Sequence, residues 1–250
     1  MAATDRSVSS PDGGGTPSTR PDPAGARRDG SAREPLPTGQ SPNVVWQRQM
    51  LTRDERWELL GNRGATIWFT GLPASGKSTI AGAVEERLVA MGRPAFLLDG
   101  DNLRHGLNGD LGFDETARRE NVRRTAHVAR LLAESGTIAL VSLVSPFARD
   151  RLEAAELHKD IDLSFIEVFI DAPLELCEMR DPKGLYARAR AGTLSGLTGV
   201  GAPYQVPSNP DLVLRSGEET VEMAVERVLE ILNARCTPLP ALEQQRLGVW

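Results

Sequence analysis

Residues Gly71, Leu72, Pro73, Ala74, Ser75, Gly76, Lys77 and Ser78 fit the pattern G-x-x-x-x-G-K-[ST], and their neighbours decide what the pattern means. The apolar run Ala65 to Thr70 before them reads as a buried strand. The stretch after them, with Ile80, Val84 and Leu88 at helical spacing, reads as a helix. Strand, glycine turn and helix in that order are what a phosphate-binding loop requires. Gly71 and Gly76 let the backbone turn where a Cβ would clash, so that successive N–H groups converge on one point, and an anion belongs there. The helix that begins near Lys77 adds unpaired N–H groups and its dipole. Lys77 can reach the β and γ phosphates, and the Ser78 hydroxyl can hold Mg²⁺. The first predicted ligand is therefore a nucleoside triphosphate with its magnesium; the competing reading is a glycine turn that matches by coincidence.

The rest of the chain repeats the alternation. Further strand-like runs lie at 94–98, 137–144, 165–170 and 212–214, separated by helical stretches at 116–135, 149–158, 174–179 and 218–233. Continuously apolar strands alternating with helices predict an α/β fold, a five-stranded, mostly parallel sheet with helices on both faces. Ligands of such sheets sit beyond the carboxyl ends of the strands, which here carry Gly71, Asp99, Asp101, Ser145 and Asp171. A short lead-in helix is predicted from the capping box Thr52 to Glu55, with Trp57, Leu59 and Leu60 as its apolar side and Gly61 as its stop. Residues 1–42 hold almost no large apolar side chain and are expected to be a disordered tail. The folded domain is expected over 43–236, with a second tail over 237–250.

Several polar residues need more than a solvated surface to explain them. Asp99 and Asp101 lie two apart at a strand end, where a carboxylate can hold Mg²⁺ or accept the proton of an attacking hydroxyl. Asp101 could equally cap the turn that follows. In the helix from Thr116, the stripe Val122, Thr125, Ala126, Ala129 and Leu132, extended towards the N-terminus, arrives at Asn121 and Arg118. A cation on that inward face needs a partner, either an anionic substrate or an internal carboxylate. Arg104 is a second possible anion clamp, and Phe113 could be a stacking face or simply core. Between the fourth and fifth strands, a long basic, glycine-rich stretch over about 180–206 reads as a lid over phosphates, or as a surface loop.

A net charge of −5 argues against a nucleic-acid partner. The start of the chain lacks a secretory h-region and no apolar run approaches bilayer length, so the expectation is a cytoplasmic protein with no membrane partner. Cys177 and Cys236 form no C-x-x-C pair and have no metal-ligand spacing with the histidines.

Taken together, the phosphate loop, Leu98-Asp-Gly-Asp-Asn-Leu-Arg-His-Gly-Leu-Asn108, Leu111-Gly-Phe113, Arg118 to Arg124, Ser145-Pro-Phe147, Asp181-Pro-Lys-Gly-Leu-Tyr186 and Ala189-Arg-Ala-Gly192 closely resemble the adenylyl-sulfate kinases, P-loop kinases of sulfate activation. The resemblance runs from Asn43 to about Leu214. It implies transfer of the ATP γ-phosphate to the ribose 3′-hydroxyl of adenylyl sulfate. Asp101 matches the carboxylate near that hydroxyl and the Mg²⁺; Arg104, Phe113, Arg118, Asn121, Val144, Ser145, Lys183 and the Gly196–Leu197 step match adenylyl-sulfate positions. Ser145 matches a serine described in the family as a phosphoenzyme, although in-line transfer needs no covalent relay. Lys77, Asp101 and Ser145 are thus the implied catalytic residues, and Ser78 and Asp101 the implied metal ligands. The resemblance also implies a homodimer, and the length of the chain an independent sulfurylase. Leu197 stands where the family usually places Phe, so a substrate adenine stacked on Phe113 would lose one aromatic face, about 0.5 to 1.5 kcal/mol, and the KM for adenylyl sulfate would rise. A kinase of another hydroxyl compound and a silent nucleotide-binding regulator are the competing readings.

Overall fold

The protein is seen in a computed structural model that describes Gln47 and residues 49–239. The expected N-terminal tail, the start of order at Asn43–Trp46 and nearly all of the expected C-terminal tail lie outside the described residues. The elements run α1 (Arg53–Leu60), β1 (Ala65–Thr70), α2 (Lys77–Ala90), β2 (Ala95–Asp99), α3 (Gly100–Leu103), α4 (Glu115–Ser135), β3 (Ile138–Ser142), α5 (Ala148–Lys159), β4 (Phe165–Asp171), α6 (Leu174–Arg180), α7 (Leu185–Arg190), β5 (Leu212–Arg215) and α8 (Val221–Arg235). The five strands form one sheet in the order β2-β3-β1-β4-β5. Every pairing is parallel, so the sheet is wholly rather than mostly parallel.

Side chains that alternate along a strand go to opposite faces. Ile67 and Phe69 of β1 join α2 and α8 in one core, while Trp68 between them packs with Val122, Ala126 and Ala129 of α4 and with Ala154 of α5. Both faces are therefore covered, and all six residues of β1 are buried. This explains why its sequence is continuously apolar rather than alternating. The register puts Asp99 of β2 beside Ser142 of β3, and Ser142 beside Phe69 of β1, so these strands end at one level. The three chain segments that follow them open onto the same rim.

Helix boundaries follow local chemistry. In α1, the Thr52 and Glu55 side chains and backbones form the reciprocal capping box, and Gly61 closes the helix at φ +66°. Trp57 alone of its apolar residues is buried; Leu59 and Leu60 point to solvent rather than completing an apolar side. In α4, the Asp114 side chain accepts from the Ala117 amide, and Gly136 ends the helix at φ +99°. The turn α3 is capped by Asp99, whose carboxylate accepts from the amides of Asp101 and Asn102. Asp101 is therefore not the cap, and its own carboxylate is left for other contacts.

Candidate active site

The phosphate loop has the backbone that the glycines predicted. Gly71 sits at φ +150° and Gly76 at φ +106°. A Cβ on Gly71 would come within 2.7 Å of the Ile170 carbonyl oxygen, so no larger residue fits there. Ala74 also takes a left-handed φ of +59°, which an L side chain adopts at a cost. Lys77 is folded back into its own loop and donates to the carbonyls of Gly71 at 3.0 Å and Leu72 at 2.6 Å. Burial lowers its pKa to about 8. Pro73 contributes no N–H, but its carbonyl accepts from the Tyr186 hydroxyl of α7 at 3.0 Å. Leu72 and Ala74 pack with Tyr186, Cys177 and Leu197 in a small apolar cluster, so the loop and the segment after β4 share a core.

At the end of β2 the two acidic residues separate. Ser78 Oγ donates to Asp99 Oδ2 at 2.6 Å and lies 3.1 Å from Ser142 Oγ. The carboxylate beside Ser78 is therefore that of Asp99, whereas the sequence had paired Ser78 with Asp101. Asp101 is ion-paired with Lys183 across the cavity. The Ser78, Asp99 and Ser142 oxygens are hard donors of the kind Mg²⁺ prefers. No group of three or more His, Cys, Asp or Glu side chains forms a metal cage among the described residues. A magnesium ion fits such a site when phosphates and water complete its octahedron, and a chain-built cage is not needed.

The opposite end of the cavity is basic. Arg104 Nη1 donates to the Leu111 carbonyl at 2.9 Å, and its guanidinium lies 4.1 Å from the centre of the Phe113 ring. Arg118 donates to the carbonyls of Phe113 and Gly196 at 2.6 and 2.8 Å, and to Thr198 Oγ1 at 2.6 Å. Among the described residues neither guanidinium has a carboxylate within ion-pair distance, which leaves no internal partner of the kind the sequence allowed for Arg118. Burial pulls both below the ordinary arginine pKa, and the nearby Arg104 charge lowers Arg118 further. Two desolvated cations side by side favour an anion between them.

A cavity of about 610 Å³ joins the two ends. Its wall carries Pro73, Ala74, Gly76, Lys77 and Ser78 at one end, Asp99, Asp101 and Lys183 at its middle, and Arg104, Phe113, Arg118, Asn121, Val144, Ser145 and Leu197 towards the other. Gly71, Leu72, Ser75 and Gly196 stand behind that wall. Asn121 Oδ1 accepts from the buried Asn108 Nδ2 at 2.9 Å, and the Val144 carbonyl accepts from Thr70 Oγ1 at 2.8 Å. Ser145 is 3% exposed, with its hydroxyl donating to Thr70 Oγ1 and accepting from Trp68 Nε1. Leu197 is 8% exposed and belongs mainly to the apolar cluster behind the wall. Sequence reasoning passed over Ser142, Thr198 and Arg180. The last lines the cavity and donates to Ser216 Oγ at 2.8 Å and to the Ser75 carbonyl at 3.3 Å. Its place at the head of the basic stretch was the available signal; Ser142 and Thr198 had none.

The adenylylsulphate kinase family profile matches residues 63–215, which is most of the described chain and the whole of this cavity's strand framework. The chain belongs to the adenylylsulphate kinase family. An adenylyl-sulfate kinase of Clostridium kluyveri is 48% identical over 195 residues, covering 78% of this chain and 96% of the relative. That of Saccharomyces cerevisiae is 50% identical over 190 residues, covering 76% and 94%. Among solved structures, the Mycobacterium tuberculosis APS kinase CysC in complex with AMPPNP and APS is 51% identical. It has a TM-score of 0.67 and covers 69% of this chain and 99% of that one. The protein is thus a P-loop kinase that transfers phosphate to an alcohol group, and the reading as an adenylyl-sulfate kinase of sulfate assimilation is borne out.

Proposed function

We propose that the chain carries the γ-phosphate of ATP in line to the ribose 3′-hydroxyl of adenylyl sulfate, giving ADP and 3′-phosphoadenylyl sulfate. The observation that carries this is the two-ended cavity. A phosphate loop forms one end, two carboxylate-free arginines form the other, and Asp101 stands between them. The Gly71–Ser78 loop and Lys77 hold the triphosphate; Arg104 and Arg118 hold the sulfate and phosphate of the acceptor; Phe113 offers its exposed ring to the adenine. Asp101 accepts the proton of the 3′-hydroxyl, and Lys183 keeps that carboxylate over the acceptor. Ser78 and Asp99 are the residues that would hold Mg²⁺, which neutralises charge on the β and γ phosphates when bound. Ser145 positions the acceptor; its buried hydroxyl is held by Thr70 and Trp68, which favours direct in-line transfer over a covalent relay. The 180–206 segment is the lid, and its Lys183 and Thr198 contacts support that reading. A homodimer and a cytoplasmic location belong to the same reading. No described helix is long and apolar enough to cross a membrane.

The test is ADP release from Mg-ATP with and without adenylyl sulfate, run beside Asp101→Asn. Release that depends on adenylyl sulfate, and a kcat about 10² to 10⁴-fold lower in the variant, is the expected result. ATP binding without such release would overturn the assignment.

A further inference from the structure

Residues 143–146 after β3 line the acceptor end of the cavity, and the end of the basic segment, at Tyr204 and Gln205, backs them through bonds to Thr70 and Pro146. We propose that Arg151 is the positioning residue that holds these two segments together and so sets the geometry of the adenylyl-sulfate site. The proposal rests on the assignment of that end of the cavity to adenylyl sulfate.

Arg151 lies in the first turn of α5 and is 3% exposed. Its Nε donates to Glu167 Oε1 of β4 at 2.7 Å, its Nη1 to the Ser145 carbonyl at 2.7 Å, and its Nη2 to the Gln205 carbonyl at 2.8 Å. One planar fork thus reaches three separate segments, which a lysine ammonium could not reproduce. The circuit closes on itself. The Gln205 amide donates to the Pro146 carbonyl at 2.8 Å. Gln205 Oε1 accepts from the Ala148 amide at 2.7 Å, giving α5 the cap that Phe147 has no side-chain acceptor to provide. Thr70 Oγ1 donates to the Val144 carbonyl, which leaves it to accept from both Ser145 Oγ and the Tyr204 hydroxyl, each at 2.9 Å.

Ser145 needs this support. Its φ of +38° is a conformation that a serine keeps only when its surroundings over-determine it. The Arg151 donor on its carbonyl and the two contacts of its hydroxyl do so. Among the described residues, the hydrogen bonds of the circuit come up to the phosphate loop only at Thr70, at the end of β1. Loss of Arg151 should therefore fall on one substrate.

The test is the double variant Arg151→Met with Glu167→Leu, which removes both charges and leaves no buried carboxylate uncompensated. Initial rates are measured against each substrate in turn. We expect the KM for adenylyl sulfate to rise about ten-fold or more while the KM for ATP stays within about two-fold. Equal increases in both KM values, a kcat loss alone, or wild-type values would each overturn the proposal. Should the double variant fail to bind ATP, Tyr204→Phe, which deletes one hydroxyl of the circuit, decides in the same terms. Wild-type protein that releases no ADP with adenylyl sulfate would instead overturn the function itself, so the two failures are distinguishable.

Discussion

Lys77 is buried against the carbonyls of its own loop, and the consequence is a titration well below the ordinary lysine range. Burial depresses its folded pKa to about 8 from an ordinary 10.5. Between those values the unfolded chain holds a proton that the folded one has released, so stability rises with pH across that window. Urea denaturation at pH 8 and pH 10 should show wild-type protein gaining stability relative to Lys77→Met. An anion on the ammonium reverses the shift, so ATP binding at about pH 8.5 should take up protons, measurable by calorimetry in buffers of different ionisation heat. Leu197 carries a second prediction at this scale. Its side chain fills the cluster of Leu72, Cys177 and Tyr186 rather than standing free over the acceptor. Leu197→Phe should therefore cost about 1–3 kcal/mol by overpacking, read from the denaturation midpoint. An unchanged KM for adenylyl sulfate in that variant would also end the stacking argument made from the sequence.

At the scale of elements, α4 is the piece that brings Arg118 and Asn121 to the cavity. Its buried stripe of Val122, Ala126 and Ala129 fixes its rotation against the sheet, and that rotation aims Arg118 and Asn121 at the cavity. Its start is fixed by Asp114, one turn before Arg118. Asp114→Ala should cost about 0.5–2 kcal/mol, measured by denaturation. It should also weaken adenylyl sulfate more than ATP, because the fraying turn carries Arg118. The strand-end turn α3 works differently. Asp99 both caps it and meets Ser78, so Asp99→Asn keeps the cap acceptor while removing the charge, and loss of activity without loss of stability is expected from paired rate and denaturation measurements.

At the scale of the whole molecule, the second core is closed by a polar residue. His158 is fully buried, with Nδ1 donating to the Ala154 carbonyl at 2.8 Å and Nε2 accepting from Thr66 Oγ1 at 2.8 Å. Both nitrogens are satisfied in the neutral ring, and burial lowers its pKa to about 4 from 6.5. The unfolded chain binds the proton first as pH falls, so stability should drop between about pH 6.5 and 4. A His158→Gln variant, less stable at neutral pH, should lose that part of the acid sensitivity, as urea midpoints across the range would show.

The order of strand, glycine turn and helix, the apolar alternation, and the clustered motifs were legible before any coordinates, because they depend on neighbours in the chain. They determined the α/β class, the phosphate loop, the capping box of α1 and the inward placement of Arg118 and Asn121. What depends on contacts between distant segments was not legible. Parallel register set Asp99 beside Ser142, and a one-turn cap decided that Asp99 rather than Asp101 meets Ser78. The partners of Arg118, the burial of Leu197 in the cluster behind the cavity and the Arg151 circuit each join residues tens of positions apart. Local sequence specifies a side chain's period and its propensity. Which groups it must desolvate against, and which donors are left to satisfy it, is decided only when the sheet forms and the 180–206 segment packs against the phosphate loop and Arg118.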